Sequence, residues 1–297
     1  MPAPLCVQPV PSSPVILSSE ILTLSQGSIV QADSYGIQNK TDRAMLIDRF
    51  IFSVRANSPD YLGGAISVKL RLGAQDLTNG FVPLCVLTSP YSARTGTSEI
   101  YYFASGGLGF TTVLPLAHPL YVAPGNGFSA QLARTTDGSA LLCGVNLGFA
   151  GCATVERPRK NFVPYISAFS HPRDTVNATS ASTSTNTDMQ NKFGVSMYVD
   201  KFIASGDDTS NFLGINIIES YLTDSALYDF VDIYYRGATR LTNKPHPLNA
   251  LFWPGQCAVD ARMVIAPNDW FITQFTSVAQ YHKPVIAMVG YREEALP

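Results

Sequence analysis

Residues 38–53 read QNKTDRAMLIDRFIFS, and residues 190–205 read QNKFGVSMYVDKFIAS. Aligned without a gap, eight of the sixteen positions are identical: Gln38/Gln190, Asn39/Asn191, Lys40/Lys192, Met45/Met197, Asp48/Asp200, Phe50/Phe202, Ile51/Ile203 and Ser53/Ser205. Shorter echoes follow in the same order. Phe81-Val82 meets Phe230-Val231, Val122-Ala123-Pro124 meets Ile265-Ala266-Pro267, and Leu147-Gly148-Phe149 meets Val289-Gly290-Tyr291. Phe128 and Phe271 each stand four residues past the proline of their copy. A repeat this long is the size of a whole domain, not of a solenoid unit. The chain therefore reads as one module duplicated.

The text of each copy is β. In Ala65 to Leu72, Ile66, Val68, Leu70 and Leu72 alternate with Ser67, Lys69 and Arg71, the period of a half-buried strand. Leu46–Val54, Phe81–Leu87, Glu99–Ala104, Leu120–Val122, Phe128–Leu132 and Leu141–Phe149 are further short strands bounded by turn residues. The second copy offers Val195–Ile203, Leu213–Ile218, Phe230–Tyr235, Cys257–Ile265, Trp270–Phe275 and Pro284–Tyr291, with a short helix or insertion expected at Ser220–Tyr228. The Ala-Pro-[Gly/Asn]-[Asn/Asp]-x-Phe text at 123–128 and 266–271 suits a strand–turn–strand joint, in which proline ends one strand and phenylalanine anchors the next.

The predicted fold class is all-β, two tandem eight-stranded jelly-roll barrels arising by internal duplication. The expected division is an extended N-terminal arm over 1–36, a first jelly roll over 37–155, a linker or second arm over 156–189 and a second jelly roll over 190–297. Prolines at 2, 4, 9, 11 and 14 argue for extension at the start. The tract 174–190 is small and polar, a linker or an arm. Pro164-Tyr165-Ile166 faintly mirrors Pro14-Val15-Ile16, so each copy is expected to own an arm.

Composition narrows the function. Charged residues make up 14% of 297, against about 25% in ordinary soluble chains. So few charges suit a surface covered by other subunits. The net charge is −2, with no Lys/Arg run, which argues against a nucleic-acid binder. The start of the chain lacks a basic, apolar leader, and no stretch of 18 apolar residues occurs, so neither a signal peptide nor a membrane helix is expected. The sequons at Asn39 and Asn177 are expected to be accidental. Cys6, Cys85, Cys143, Cys152 and Cys257 form no CxxC pair and read as reduced thiols, with a facing of Cys143 and Cys152 left open.

No residue set carries catalysis. The four histidines, His118, His171, His246 and His282, include no His-x-His pair of the kind a metal-binding cupin needs. His118-Pro119 and His246-Pro247 read as the starts of loops. Asp48-Arg49 and Asp200-Lys201 read as structural ion pairs, or else as a subunit contact or a Ca²⁺ ligand between barrels. Gly106-Gly107-Leu108-Gly109 precedes no helix and reads as a turn rather than a phosphate loop. No nucleophile elbow, Walker loop or HExxH is present. The six glutamates, Glu293-Glu294 among them, single out no catalytic pair, and Trp253 and Trp270 read as core residues. No catalytic, cofactor or metal residue is therefore assigned.

Taken with the proline-rich start, two jelly rolls in about 300 residues resemble the double jelly-roll major capsid proteins of the PRD1–adenovirus lineage, in particular the small ones of membrane-containing icosahedral bacteriophages. The resemblance covers residues 14–297 as architecture. It implies a non-enzymatic coat protein made in the host cytoplasm and resident in the virion. It further implies a homotrimer forming pseudo-hexagonal capsomers, in contact with neighbouring capsomers and penton or minor capsid proteins, and an N-terminal arm that touches neighbours or an internal membrane. The alternatives are a carbohydrate- or receptor-binding double jelly roll and a tandem jelly-roll hydrolase such as a deglycosylating amidase.

Overall fold

The computed structural model describes residues 13–25, 29–32, 37–56, 66–87, 99–102, 108–134, 142–155, 157–170, 182–185, 187–208, 230–236, 239–241, 246–247, 258–277 and 282–295. The expectations for 213–229, Trp253 and His171 lie outside these residues. The first half supplies β1 (Pro14–Ser18), β2 (Leu22–Ser25), β3 (Ile29–Ala32), β4 (Ala44–Ala56), β5 (Ile66–Leu72), β6 (Gln75–Asp76), β7 (Val82–Pro83), the single helical turn α1 (Leu84–Leu87), β8 (Glu99–Tyr102), β9 (Leu108–Val122), β10 (Phe128–Arg134) and β11 (Leu142–Thr154). The second half supplies β12 (Asn161–Ser170), β13 (Ser182–Thr183), β14 (Met197–Asp208), β15 (Phe230–Tyr235), β16 (Thr239–Arg240), β17 (His246–Pro247), β18 (Ala258–Ile265), β19 (Phe271–Ser277) and β20 (His282–Glu294).

Each half folds into two facing sheets. In the first, β1-β11-β4-β9-β8, with β2 beside β11, faces β3-β10-β5-β6, with β7 beside β5. In the second, β12-β20-β14-β18 faces β13-β19-β15-β16, with β17 beside β15. The strand orders superimpose one for one, β1 on β12, β11 on β20, β4 on β14 and β9 on β18. Every strand ladder among the described residues is antiparallel, as a jelly roll requires.

Alternation drives the burial. Ile66, Val68, Leu70 and Leu72 are 0–2% exposed while the residues between them are half-buried. Phe50, Phe128 and Phe149 close the first core, with Phe128 and Phe149 stacked at 3.7 Å and Phe50 meeting each edge-on. In the second core Phe271 meets Phe202 edge-on at 5.1 Å. Each such side chain contributes about 1.5–3 kcal/mol of burial.

Several expectations need correction. The segments 1–36 and 156–189 are not arms apart from the barrels in their described parts: β1 pairs with β11, β3 with β10, β12 with β20 and β13 with β19. The faint mirror of Pro14-Val15-Ile16 in Pro164-Tyr165-Ile166 is a true register match. Val15 lies opposite Gly151 and Tyr165 opposite Gly290, and those glycines are equivalent. The expected strand Phe81–Leu87 is two strand residues followed by a helical turn. Phe81-Val82 does not match Phe230-Val231. The pairings Ser67–Pro83 and Phe230–Pro247 instead equate β7 with β17. Cys143 and Cys152 sit nine residues apart on one extended strand, about 30 Å, and cannot face each other.

Candidate functional site: the repeat staples and the seam between barrels

The repeated QN text is a staple that closes the end of each barrel. Asn39 is fully buried, and its side-chain amide donates to the carbonyls of Arg43 (2.8 Å), Val122 and Ala123 (both 3.3 Å). Its side-chain oxygen accepts from the Thr41 backbone N–H at 3.1 Å. Asn191 repeats this with the carbonyls of Val195, Ile265 and Ala266 at 3.0–3.1 Å. Gln38 donates to the Gly125 carbonyl and Gln190 to that of Asn268. The receiving turns are also alike. Asn126 N–H bonds the Ala123 carbonyl and Asp269 N–H that of Ala266, both at 3.1 Å. Gly125 and Asn268 at the third position have φ of 77° and 67°. That is a type II turn, with proline second and a left-handed glycine or asparagine third. The two sequence motifs recur together because they bond to each other. In the second turn the Asp269 carboxyl accepts from Arg236 and from the Tyr235 hydroxyl (2.7 Å), which hold it below its ordinary range.

Asp48 and Asp200 occupy a shared irregularity. Opposite β11, Arg49 pairs with Ala150 and Ile47 with Gly151, so Asp48 is bulged out. Opposite β20, Asp200 is skipped in the same way between Val199 and Lys201. Each carboxylate binds its own neighbour, Asp48 to Arg49 at 2.6 Å and Asp200 to Lys201 at 3.1 Å. Both therefore mark the bulge of their own barrel. Among the described residues no three His, Cys, Asp or Glu gather. The glycines inside the bulge are Gly151 and Gly290, both forced by backbone contact. The alignment of Gly148 with Gly290 was thus displaced by three residues.

The second feature is the seam between the two jelly rolls. Ile166, Ile203, Val285, Ala287 and Val289 point away from the second core and join the first barrel's apolar cluster, together with Leu77, Val82, Leu84 and Leu87. Polar bonds stitch the same seam. Asn79 N–H donates to the Ile166 carbonyl at 2.7 Å, Ile166 N–H to that of Leu77, and the Asn79 side chain to Ser167 Oγ and the carbonyls of Thr187 and Asp188, all at 3.0 Å. His118 lies in β9 where residues 116–119 bulge opposite Asp48, not at the start of a loop. Its ring stacks on Phe162 at 4.3 Å and meets Tyr291 at 4.5 Å. His246 is a strand residue in β17 and is not its equivalent.

Arg292 is 1% exposed at one end of this seam. It donates to Glu294 and, at 3.3 Å, to the Asp76 carbonyl of the first barrel, and its guanidinium lies 3.6 Å from the Phe193 ring centre. Burial lowers its pKa, while Glu294, Tyr165 and Asp76 raise it. Glu294 also accepts from Gln75. Removing one partner of a buried ionic network costs about 3 kcal/mol. Arg292→Ala should lower urea stability by about that amount, whereas Lys160→Ala, at the exposed Lys160–Glu293 pair, should leave it unchanged.

Sequence reasoning missed Arg292, Asn79 and the seam role of His118, none of which has a local signature. A shallow groove lined by Asp42, Arg43, Tyr121 and Arg157 lies beside the first staple, and it gathers no catalytic constellation.

No protein-family model matches the chain, and no curated protein is similar in sequence. Solved structures share the fold. The crystal structure of the STIV MCP aligns over 93% of this chain and 96% of its own, with a TM-score of 0.50 and 9% identity. The major capsid protein P2 from Bacteriophage PM2 aligns over 95% and 98%, with a TM-score of 0.43 and 9% identity. PNGase F, a glycosylasparaginase from Flavobacterium meningosepticum, aligns over 93% and 96%, with a TM-score of 0.34 and 9% identity. The described residues have the all-β double jelly-roll fold expected from the sequence.

Proposed function

We propose that this chain is the major capsid protein of an icosahedral virus, a structural subunit without catalytic work. One observation carries the reading: two copies of one jelly roll are fused through an apolar, hydrogen-bonded seam in the whole-chain arrangement shared with the STIV MCP. The low charge content supports it, since large permanent interfaces are apolar. So does the dedication of the most regular polar groups, Asn39, Asn191 and Arg292, to holding strands and barrels rather than to facing a cleft.

In this reading three chains associate through barrel sides into a pseudo-hexagonal capsomer, which tiles the virion shell beside further capsomers and vertex proteins. The start of the chain, rich in proline up to Pro11, is the candidate for reaching a neighbour or an internal membrane. Light scattering on the size-exclusion peak tests the association. The expected mass is three times 32.1 kDa, and a stable mass of 32.1 kDa would overturn the reading.

A further inference from the structure

The bulge that the two barrels share differs in length. Opposite Asp200, β18 leaves Ala261 and Arg262 unpaired between Asp260 and Met263. Opposite Asp48, β9 leaves Leu116 to Pro119 unpaired between Pro115 and Leu120. The flanking residues correspond, Ile47 to Val199 and Arg49 to Lys201, so the first copy carries two extra residues at this one place. The shorter bulge turns outward: Arg262 has φ of 47°, its side chain is 84% exposed, and it pairs with Asp260 of its own strand. The longer bulge reaches across the seam. It carries the His118 ring, stacked on Phe162 at 4.3 Å and edge-on to Tyr291 at 4.5 Å. Tyr198 stacks on Tyr291 in turn, at 5.3 Å, and so backs the ring that receives His118.

The seam has a fixed point some way from this contact. Asn79 N–H bonds the Ile166 carbonyl at 2.7 Å and Ile166 N–H bonds that of Leu77 at 3.0 Å, so backbone alone joins the barrels there. Around that point the seam is apolar, with α1 packed on β14 and β20, and apolar burial is non-directional. The Arg292 bond to the Asp76 carbonyl comes from the opposite face of β20 to Tyr291. It is a tether, which resists separation but not approach. Phe162 stands four residues from Ile166 on β12, about 13 Å along the strand. A ring held there is a spacer at the end of a lever. Its thickness is about 3.5 Å, and its loss would let one barrel turn about the backbone bonds by about 15°.

We infer that His118 is a positioning residue that sets the angle between the two jelly rolls, and that the two-residue insertion in the β9 bulge is what places it. The inference rests on the capsomer reading and names a residue that the reading requires. A closed ring of six barrels needs a turn of about 60° at every joint. Three of the six joints lie within chains, so an error of about 15° in each adds up to about 45° around the ring, which then cannot close. A subunit of such a ring needs a joint of defined angle. A ring stacked against one aromatic side chain and edge-on to another supplies it, because aromatic pairs hold preferred geometries.

His118→Ala removes the spacer, and His118→Phe keeps a ring in its place. Spin labels carried on non-natural residues at positions 20 and 260, where Glu20 and Asp260 are exposed on the first and second barrels, read the angle as a distance by double electron–electron resonance. Diluting labelled chains in unlabelled ones confines the reading to pairs within one chain. In His118→Ala the mean distance should shift, or its distribution widen, by about 3.5 Å or more, with an unchanged far-ultraviolet circular dichroism spectrum. His118→Phe should return the distribution of the unaltered chain. Negative-stain images should show open or uneven rings for His118→Ala and closed six-lobed rings for His118→Phe. Should His118→Ala misfold, Phe162→Ala opens the same gap from the other barrel. An unchanged distance in His118→Ala, or a His118→Phe chain that behaves like the alanine variant, overturns this inference and leaves an associating wild-type chain consistent with the shell reading. A wild-type chain that never associates overturns both.

Discussion

Gly151→Ala is expected to destabilise the chain by ~4 kcal/mol or more, enough to abolish soluble expression of a marginally stable domain. A Cβ at Gly151 would lie 1.9 Å from the Leu46 carbonyl oxygen and 2.8 Å from the Ile47 Cα. Those atoms belong to β4, the central neighbour of β11, so they cannot yield without breaking the ladder on both sides of the bulge. The second copy contains its own test. At Gly290 the added Cβ would lie 2.4 Å from the Tyr198 carbonyl oxygen, so Gly290→Ala should fail by the same mechanism. Gly194→Ala, with open space around its Cβ, is the control and should unfold in urea close to the unaltered chain. Equal midpoints for Gly151→Ala and Gly194→Ala would show that the bulge geometry is wrong.

The second large effect is expected at the staples. Asn39→Ala removes an amide that donates to three carbonyls inside a closed barrel end. Each buried acceptor left without a donor costs about 1–3 kcal/mol, and the three share one donor group, so a loss of ~3 kcal/mol is expected. Asn191→Ala should cost a similar amount in the second barrel. The mechanism makes a further distinction. Asn39→Asp keeps the acceptor used by Thr41 but swaps the donor for a carboxylate beside three carbonyls, so it should be at least as damaging as alanine. Urea denaturation of the three variants reads this directly. Asn39→Asp unfolding at the wild-type midpoint would contradict the assigned bonds.

The parts of the fold legible in sequence were those in which identity survives because two motifs bond to each other. Gln38-Asn39 and Ala123-Pro124 recur as Gln190-Asn191 and Ala266-Pro267 because each asparagine needs the carbonyls of its turn. Single apolar matches misled. Phe81-Val82 and Phe230-Val231 are similar because strands are apolar, and they occupy different strands. The Gly148–Gly290 alignment slipped by three because only the backbone contact across the bulge distinguishes Gly151 from the other glycines of β11. Strand membership of Pro14–Ser18 and Ser182–Thr183 was hidden by prolines and small polar residues, which long-range pairing with β11 and β19 overrides.

The seam was the least legible feature. Its groups come from widely separated stretches: Asp76 and Asn79, His118, Phe162 and Ile166, and Tyr291 and Arg292. No local spacing records that His118 will stack on Phe162.

Negative-stain class averages of the purified assembly test the central claim most directly. Three chains of two jelly rolls each should give particles with six similar lobes arranged as a hexagon. Two-lobed particles of single chains, with no larger species at high concentration, would contradict a shell subunit.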